Sequence, residues 1–371
     1  MKRILIMHIS EFGGHKRASQ NIEEALRFID PAIKTMNING LGRLYPRSEK
    51  IVDLIYTTTI KRFPRIWGKV YDRHSVVRTL TPLMRLANTI GFGKFANILK
   101  NFRPDAVVAT QAFPCSVTAE FKRKHNLTLP LFAVVTDYHP HRFWIHPCVD
   151  VYIVACREAK DTLVREGVEE DKIKILGIPI SYRFLDVYKK EDIAREYGFD
   201  LQSPCVLIMG GGLGFGPIKD VFVELNKINL PFQVIVVCGK NKTLYGWFKK
   251  RRNRFRRPVF YFGYIDFVNK LMDFSDIIIT KAGGVTISEA LSKELGIIVI
   301  NPIPGQEERN VEYLIKRKAI LKADTVLEVR SFVERLLNNR EELAIFKQSA
   351  KENSIRDSSL RIAYFIIDYL N

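Results

Sequence analysis

The chain has 371 residues, of which 47% are hydrophobic and 26% are charged. This length fits two domains better than one core, and the composition excludes a disordered or fibrous protein. The five cysteines are scattered without CxxC spacing, which argues against a disulfide framework or a zinc site and fits a reducing cytosol. The net charge of +18 predicts an anionic partner: nucleic acid, an acidic membrane surface or a phosphorylated substrate.

Short apolar runs alternate with amphipathic segments along the chain. The opening "MKRILIMHIS" predicts a first strand rather than a signal peptide, because its apolar run breaks at His8. The strands predicted in the first half are RILIMHI, DAVVAT, PLFAVVT, VDVYIVA and KIKILG. Those predicted in the second half are CVLIMGGG, FQVIVVCG, VFYFG, DIIIT and GIIVINP. Nearly continuous apolar runs are typical of strands buried on both faces, so the pattern predicts an α/β fold with parallel sheets.

The strand pattern restarts near Pro204, where a strand again runs into a glycine-rich turn. We therefore predict two Rossmann-like domains, residues 1–180 and 181–355, with a hinge around 177–184. The last helix, within 356–371, is amphipathic and is expected to pack back on a domain. In open parallel sheets, ligands bind beyond the carboxyl ends of the strands, so two such edges facing each other would form a deep cleft.

The first motif is "EFGGHKRASQNIEEAL". Gly13 and Gly14 permit a tight turn from strand to helix, and His15 stands at the helix start, where N–H groups are available to an anion or a reacting hydroxyl. His15 is a candidate general base because its ordinary pKa lies near neutrality. The alternative is that the glycines only close the turn and that His15 caps the helix.

The second motif is "GGGLGFGPI", in which Gly211, Gly212 and Gly214 follow a predicted strand. Glycines let the backbone approach a phosphate closely, although no Gly-Lys-Ser/Thr follows and the motif is not a Walker A loop. A flexible connection is the alternative.

The third motif is "KAGGVTISEALSKELGIIVINPIPGQEERN". A helix N-terminus at its glycines would favour a diphosphate, and a carboxylate one turn further would accept hydrogen bonds from a ribose diol. Polar residues at the end of the following strand would meet a sugar. The candidate donor residues here are Gly283, Gly284, Thr286, Glu289, Gln306, Glu307 and Asn310. The alternative is a helix cap and a solvated loop.

The fourth motif is "VVTDYHPHRFWIHPCVD". Asp137 follows a predicted strand and is a second candidate base. His139, His141 and His146 invite a metal interpretation, but prolines interrupt the segment and the spacing matches no known ligand set. A polar loop is therefore favoured over a metal site.

The fifth motif is a basic and aromatic segment, residues 54–95. Cations interleaved with aromatic rings suit the headgroup region of an anionic membrane, and they would also suit a nucleic-acid backbone with stacked bases. The alternative is a core-packed helix with a solvated basic face. The candidate membrane or acceptor residues are Gly14, Arg62, Phe63, Arg65, Trp67 and Tyr71. A second basic run, "KKRRNRFRR" at 249–257, is less informative alone.

Taken in order, these motifs resemble the glycosyltransferases that include monogalactosyldiacylglycerol synthase and the processive diacylglycerol glucosyltransferases. The chain is more distantly similar to the transferase that adds N-acetylglucosamine to lipid I. The resemblance implies a GT-B fold with the active site between two domains. It also implies an inverting transfer from a UDP-sugar to a lipid hydroxyl, with no bound catalytic metal and no cofactor.

The resemblance also implies roles for particular residues. Gly283, Gly284 and Thr286 would lie near the diphosphate, and Glu289 would hold the ribose. Gln306, Glu307 and Asn310 would serve the nucleotide-sugar, and His15 falls at the acceptor side of the family's site.

The expected partners are a UDP-sugar, a lipid acceptor and an anionic membrane surface, with no nucleic acid. The expected location is the cytoplasmic face of the cell membrane, with peripheral attachment. The sugar, glucose or galactose, and the acceptor, diacylglycerol or another lipid alcohol, are left open. A UDP-sugar epimerase, a nucleotide-sugar sensor without catalysis and a nucleic-acid-binding protein stay open as alternative functions.

Overall fold

A computed structural model describes residues 1–9, 13–45, 89, 91–302 and 305–371. The candidate membrane residues Arg62, Phe63, Arg65, Trp67 and Tyr71 lie outside this set. The chain divides into two compact units. The first comprises Met1–Tyr182, Ile303–Arg309 and Asp357–Asn371, and the second comprises Arg183–Pro302 and Asn310–Arg356.

The first unit contains a six-stranded sheet in the order β2-β1-β3-β4-β5-β6, and all neighbouring strands are parallel. Its strands are β1 (Arg3–His8), β2 (Lys34–Asn39), β3 (Ala106–Ala109), β4 (Leu131–Val134), β5 (Val151–Val154) and β6 (Ile173–Ile175). The helices described between them are α1 (Gly14–Ile29), α2 (Gly40–Leu44), α3 (Phe92–Phe102), α4 (Ala112–His125) and α5 (Arg157–Arg165).

The second unit contains another six-stranded parallel sheet, in the order β12-β11-β10-β7-β8-β9. Its strands are β7 (Cys205–Met209), β8 (Gln233–Val237), β9 (Val259–Phe262), β10 (Ile277–Thr280), β11 (Gly296–Ile300) and β12 (Ile320–Ala323). The order is that of the doubly wound Rossmann sheet. The helices are α6 (Lys190–Tyr197), α7 (Ile218–Leu225), α8 (Lys242–Arg251), α9 (Val268–Phe274), α10 (Gly284–Ser292), α12 (Val326–Asn338) and α13 (Arg340–Glu352). Helix α11 (Gln306–Lys316) is divided, since its residues up to Arg309 are assigned to the first unit and those from Asn310 to the second.

The central strands are buried along their whole length, as their continuous apolar runs predict. Every residue of β3, β4 and β5 is buried, and so is every residue of β7, β8 and β11. Helices on both faces of a parallel sheet cause this burial. The prediction of an α/β fold built from two Rossmann-like parallel-sheet domains is confirmed.

Two strands at the sheet edges have no continuous apolar run, so the sequence patterns above do not predict them. Strand β2 ("KTMNIN") is mostly half-buried, and β12 ("ILKA") exposes Lys322 in its middle. Edge strands are covered on fewer sides than central ones, so a long apolar run is not needed there.

The last helix, α14 (Ser358–Tyr369), belongs to the first unit and packs against α1. Ile362, Ala363 and Ile366 are fully buried in the same core as the strands of that unit. At its start, the Ser358 hydroxyl donates to the carbonyl oxygen of Ile178 (2.7 Å) and accepts from the N–H of Ile180 (3.1 Å). Among the described residues, no helix has both the length and the apolar character needed to cross a bilayer.

Candidate active site

Three of the predicted motifs lie where a sheet reverses its strand order. In the first sheet the chain moves outward from β1 in one direction to β2 and in the other to β3, and in the second it does so from β7 to β8 and to β10. Connections leaving such a pair of strands diverge, and the crevice between them is where open α/β sheets bind ligands. The first three motifs begin after β1, β7 and β10, so they start at these two crevices, whereas the fourth follows β4.

His15 is the second residue of α1, directly beyond β1. Gly13 precedes the helix with φ of 119°, a backbone conformation that favours glycine. The Nδ1 of His15 lies 3.0 Å from the carbonyl oxygen of Thr110 and 2.9 Å from Oγ1 of Thr136. Thr110 in turn donates its hydroxyl to the carbonyl oxygen of His15 (2.9 Å). The histidine is therefore tied to the ends of the two strands beyond β1 in the sheet.

The Thr136 hydroxyl can donate or accept, whereas a carbonyl oxygen can only accept, so the contact with Thr110 is a hydrogen bond in the tautomer that has its proton on Nδ1. In that tautomer the lone pair of the neutral ring is on Nε2, which can take a proton from another group. Thr110 and Thr136 were not among the predicted residues. Each is the last residue of a predicted strand, DAVVAT or PLFAVVT, so inspecting the polar residues at strand ends would have found both.

Asp137 follows Thr136 and is buried, with 4% of its surface exposed. Its carboxylate accepts a hydrogen bond from the side-chain amide of Gln306, in the first turn of α11. One turn later, a guanidinium nitrogen of Arg309 contacts Nε2 of His139. The structure therefore brings together two predicted residues, Asp137 and Gln306, that are far apart in the sequence. Both lie in the first compact unit.

The three histidines of the fourth motif have different surroundings. The ring of His146 contacts the carbonyl oxygen of Phe143 at 3.1 Å, and its backbone is hydrogen-bonded in both directions to the hydroxyl of Tyr152. His146 thus shapes the loop. Within the described part of the chain, no group of three His, Cys, Asp or Glu residues is arranged to hold a metal ion.

His141 is held neutral by its surroundings. Its Nδ1 is buried, and this burial, together with the nearby His15, His139 and Arg309, lowers its pKa to about 3. A positive charge on His141 would face these groups in an environment that solvates it poorly.

In the second unit, the glycine-rich segment after β7 forms a closed turn. The N–H of Gly214 donates to the carbonyl oxygen of Gly211 (3.0 Å), and the N–H of Lys240 donates to that of Gly212 (2.9 Å). A Cβ on Gly214, whose φ is 63°, would lie 2.0 Å from the carbonyl oxygen of Cys238. Glycine is required here because the neighbouring backbone comes so close, and the turn is a defined structure rather than a flexible connection.

The third motif begins at the end of β10. Lys281 follows the strand, Gly283 precedes α10, and the helix starts at Gly284. Thr286 is half-buried in its first turn, and Glu289 is buried with 5% exposed. A Cβ placed on Gly211 would lie 3.7 Å from the Lys281 side chain, so the glycine turn and this loop are adjacent.

The neighbouring residues of α11 are also largely buried. Glu307 is 6% exposed and Asn310 is fully buried, and the Asn310 side-chain amide donates to the carbonyl oxygen of Ala282 (3.2 Å). Asn310 thereby supports the loop that leads into α10. Gln306 instead contacts Asp137, as described above. The predicted donor residues of α11 therefore make two separate sets of contacts, one with Asp137 and one with the loop that leads into α10.

Thr280, the last residue of β10, was not among the predicted residues. Its hydroxyl is buried and has no hydrogen-bond partner among the described residues. It borders a cavity of about 10 Å³ that is also lined by Met209, Gly216 and Lys281. A cavity of this size holds about one water molecule, which would supply the missing partner.

Comparison with known proteins matches each half of the chain to a protein family. Residues 15–180 match the monogalactosyldiacylglycerol (MGDG) synthase family, and residues 205–363 match the glycosyltransferase family 28 C-terminal domain. A processive diacylglycerol beta-glucosyltransferase of Staphylococcus epidermidis is 30% identical over 100% of this chain and 93% of its own length. One of Bacillus subtilis is 28% identical over 96% of this chain and 93% of its own length.

Solved structures show the same fold at low identity. Acinetobacter baumannii MurG superposes with a TM-score of 0.66 at 14% identity, covering 99% of this chain and 100% of that one. A UDP-GlcNAc 2-epimerase from Neisseria meningitidis, bound to UDP-GlcNAc, gives a TM-score of 0.63 at 14% identity, covering 99% and 100%.

The first prediction concerns the glycine turn. Gly214→Ala places a methyl group against the Cys238 carbonyl in a left-handed conformation, and we expect it to destabilise the second unit by at least about 2 kcal/mol. Gly246→Ala is the matched control, because a Cβ there meets no atom within 4 Å and α8 should gain roughly 0.5–1 kcal/mol. Thermal unfolding measures both, and equal melting temperatures would contradict the close approach.

The second prediction concerns pH. As the pH falls from 6.5 towards about 3, the unfolded chain protonates His141 while the folded chain does not, so the free energy of unfolding decreases. The His141→Asn variant should lose less stability over this window than the parent. Urea denaturation at several pH values measures the slopes, with His125→Asn, at an exposed histidine, as the control. Parallel slopes for the parent and His141→Asn would refute the prediction.

The order of motifs, the two parallel sheets and the full-length match agree, and the chain belongs to the glycosyltransferase family that includes the processive diacylglycerol β-glucosyltransferases.

Proposed function

We propose that this enzyme transfers a hexose from UDP-glucose or UDP-galactose to the hydroxyl of a membrane lipid, diacylglycerol, with inversion at the anomeric carbon. The observation that carries the proposal is the orientation of His15, whose Nδ1 lies 3.0 Å from the Thr110 carbonyl oxygen. This contact favours the tautomer with the proton on Nδ1 and the lone pair on Nε2. The family to which the chain belongs supports the choice of a lipid acceptor, because its relatives are named as diacylglycerol glucosyltransferases.

On the acceptor side, His15 acts as the general base. Nε2 takes the proton of the lipid hydroxyl as its oxygen attacks the anomeric carbon, and the bond from that carbon to UDP breaks on the opposite face. Thr110 and Thr136 hold the ring in one orientation during this transfer. Asp137 is the alternative base, and its contact with Gln306 supports a positioning role instead.

On the donor side, the closed glycine turn and the start of α10 bind the diphosphate. Gly211, Gly212 and Gly214 present backbone rather than side chains, and Gly283, Gly284 and Thr286 lie where the helix dipole favours negative charge. Glu289 accepts hydrogen bonds from the ribose hydroxyls. Gln306, Glu307 and Asn310 serve the sugar and nucleotide.

Negative charge develops on UDP as it leaves, and the protein has to stabilise it. The N-terminus of α10 and the amides of the glycine turn supply fixed positive partial charge for this purpose, so the reaction as proposed uses no bound catalytic metal. Because these dipoles are held by the fold, they need no reorganisation at the moment of transfer.

The acceptor is insoluble in water, so the enzyme has to work at a membrane. We propose that the basic and aromatic segment 54–95, which includes Arg62, Arg65 and Trp67, docks on the anionic cytoplasmic face of the cell membrane. Attachment of this kind is peripheral.

The third prediction tests the reaction. Radiolabelled UDP-glucose and UDP-galactose are each supplied with anionic vesicles that contain diacylglycerol, and label should enter the lipid fraction from one of them. Glu289→Ala should weaken UDP-sugar binding by roughly 10- to 100-fold, since a buried carboxylate loses its hydrogen bonds to the diol. Glu289→Gln keeps the shape if the alanine variant fails to fold, and Glu312→Ala, at an exposed glutamate of α11, is the matched control.

Two results would contradict the proposal. Bound UDP-sugar without labelled lipid would exclude transfer to diacylglycerol. Conversion of the UDP-sugar to an epimer in the absence of lipid would identify an isomerase.

The fourth prediction separates the two candidate bases. His15→Ala should lower kcat by about 10²- to 10⁴-fold with little change in UDP affinity, because general base catalysis is lost while the donor site is intact. Asp137→Asn should have the smaller effect on kcat. The pH dependence of kcat, measured for both variants, provides the second readout. If His15→Ala retains activity and Asp137→Asn does not, then Asp137 is the base.

A further inference from the structure

The second basic run of the sequence begins on α8 and continues through the short 3₁₀ turn Arg252–Arg254 to Arg257. From Lys240 to Ile265, both included, the chain has nine lysines and arginines and no aspartate or glutamate. This segment belongs to the second unit, far in sequence from the basic segment 54–95, and the proposed function gives it no role.

The fold turns most of these cations outward. Leu244 and Phe248 face the core of the second unit, which leaves the other side of α8 to solvent. Arg257 is the exception, since its guanidinium lies 3.7 Å from the centre of the Phe232 ring and donates to the carbonyl oxygen of Ile228 (2.6 Å). Seven of the nine cations are exposed. Five of these follow one another closely in the chain, and we call them the α8 cation face: Lys249, Lys250, Arg252, Arg254 and Arg256.

In the part of the chain that the structure describes, none of the five residues of this face forms an ion pair with a carboxylate. Surface cations elsewhere in the same unit do form such pairs, as in Arg335 with Glu342 (3.3 Å) and Lys351 with Glu294 (3.4 Å). Five neighbouring like charges repel one another, and an anionic partner would relieve that repulsion.

Aromatic residues beside this face favour a lipid surface over a nucleic acid. Trp247 is half-buried and packs edge-on against Phe248, and Arg251 (5.1 Å) and Lys219 (5.7 Å) lie over its ring. Stacking on bases needs an open ring face, which this packing does not offer. Lipid phosphates need no ring face, because they bind lysines and arginines through charge alone.

We propose that the α8 cation face is a second membrane-docking surface, which binds the phosphates of anionic lipid headgroups. This surface is additional to the docking role proposed for residues 54–95, and it places a membrane contact on the unit that carries the glycine turn and α10. The binding is electrostatic, so it requires anionic lipid and weakens as salt is added.

The test is binding of the full chain to sedimented vesicles, measured without any UDP-sugar so that the outcome does not depend on catalysis. Vesicles of phosphatidylcholine alone are compared with vesicles that also contain phosphatidylglycerol. The test variant carries Lys249→Gln, Lys250→Gln, Arg252→Gln and Arg254→Gln. The control carries Lys189→Gln, Lys316→Gln, Lys318→Gln and Arg340→Gln, which removes the same charge from other exposed positions.

Glutamine has a helix propensity close to that of lysine and arginine, and thermal unfolding checks that both variants fold.

One basic residue near an anionic surface contributes about five-fold in affinity, so the test variant should bind phosphatidylglycerol vesicles at least about ten-fold more weakly than the control. Equal binding by the two variants would overturn the proposal. Equal binding of the parent to both kinds of vesicle would also overturn it. So would a test variant that binds vesicles as well as the control does but no longer binds an RNA duplex, which is measured in parallel.

Discussion

Both sheets are parallel throughout the described strands, and the placement of every candidate residue depends on this constraint. In a parallel sheet all carboxyl ends lie along one edge, and each strand must be followed by a connection that returns through a helix. Loops and helix N-termini are therefore concentrated at that edge. Where the strand order reverses, neighbouring connections separate and leave a crevice, bordered by His15 in one sheet and by Gly211 and Lys281 in the other.

A crevice alone does not make a base of His15, since the ring must also be oriented. Here a backbone carbonyl at the end of β3 lies 3.0 Å from Nδ1 of the ring, so the sheet itself contributes to the orientation. A carbonyl fixes the tautomer as a carboxylate would, but it stabilises the imidazolium ion less. The fold thus connects strand pairing to the tautomer of the candidate base.

The fold was predictable wherever burial on both faces leaves a continuous apolar run, as in β3, β7 and β11. Strands β2 and β12 were not predicted, because edge strands are partly exposed and tolerate residues such as Lys322. The glycine turn and the α10 start were predictable as local features, since their residues are adjacent in sequence. Contacts such as Gln306 with Asp137, across 169 positions, have no local signal. Thr110 and Thr136 were recognisable only once the parallel edge was known.

The same fold serves more than one chemistry, and the structural neighbours include both MurG and a UDP-GlcNAc 2-epimerase at TM-scores of 0.66 and 0.63. Fold likeness therefore cannot separate a transferase from an isomerase. An isomerase acts on its nucleotide-sugar alone, so nothing in its reaction calls for a membrane. A chain with net charge +18, whose α8 cation face lacks ion pairs among the described residues, has a feature that suits an anionic surface. On the proposals made above, membrane docking by both units would hold the donor site close to the lipid acceptor, which is a requirement of transfer to a lipid and not of isomerisation.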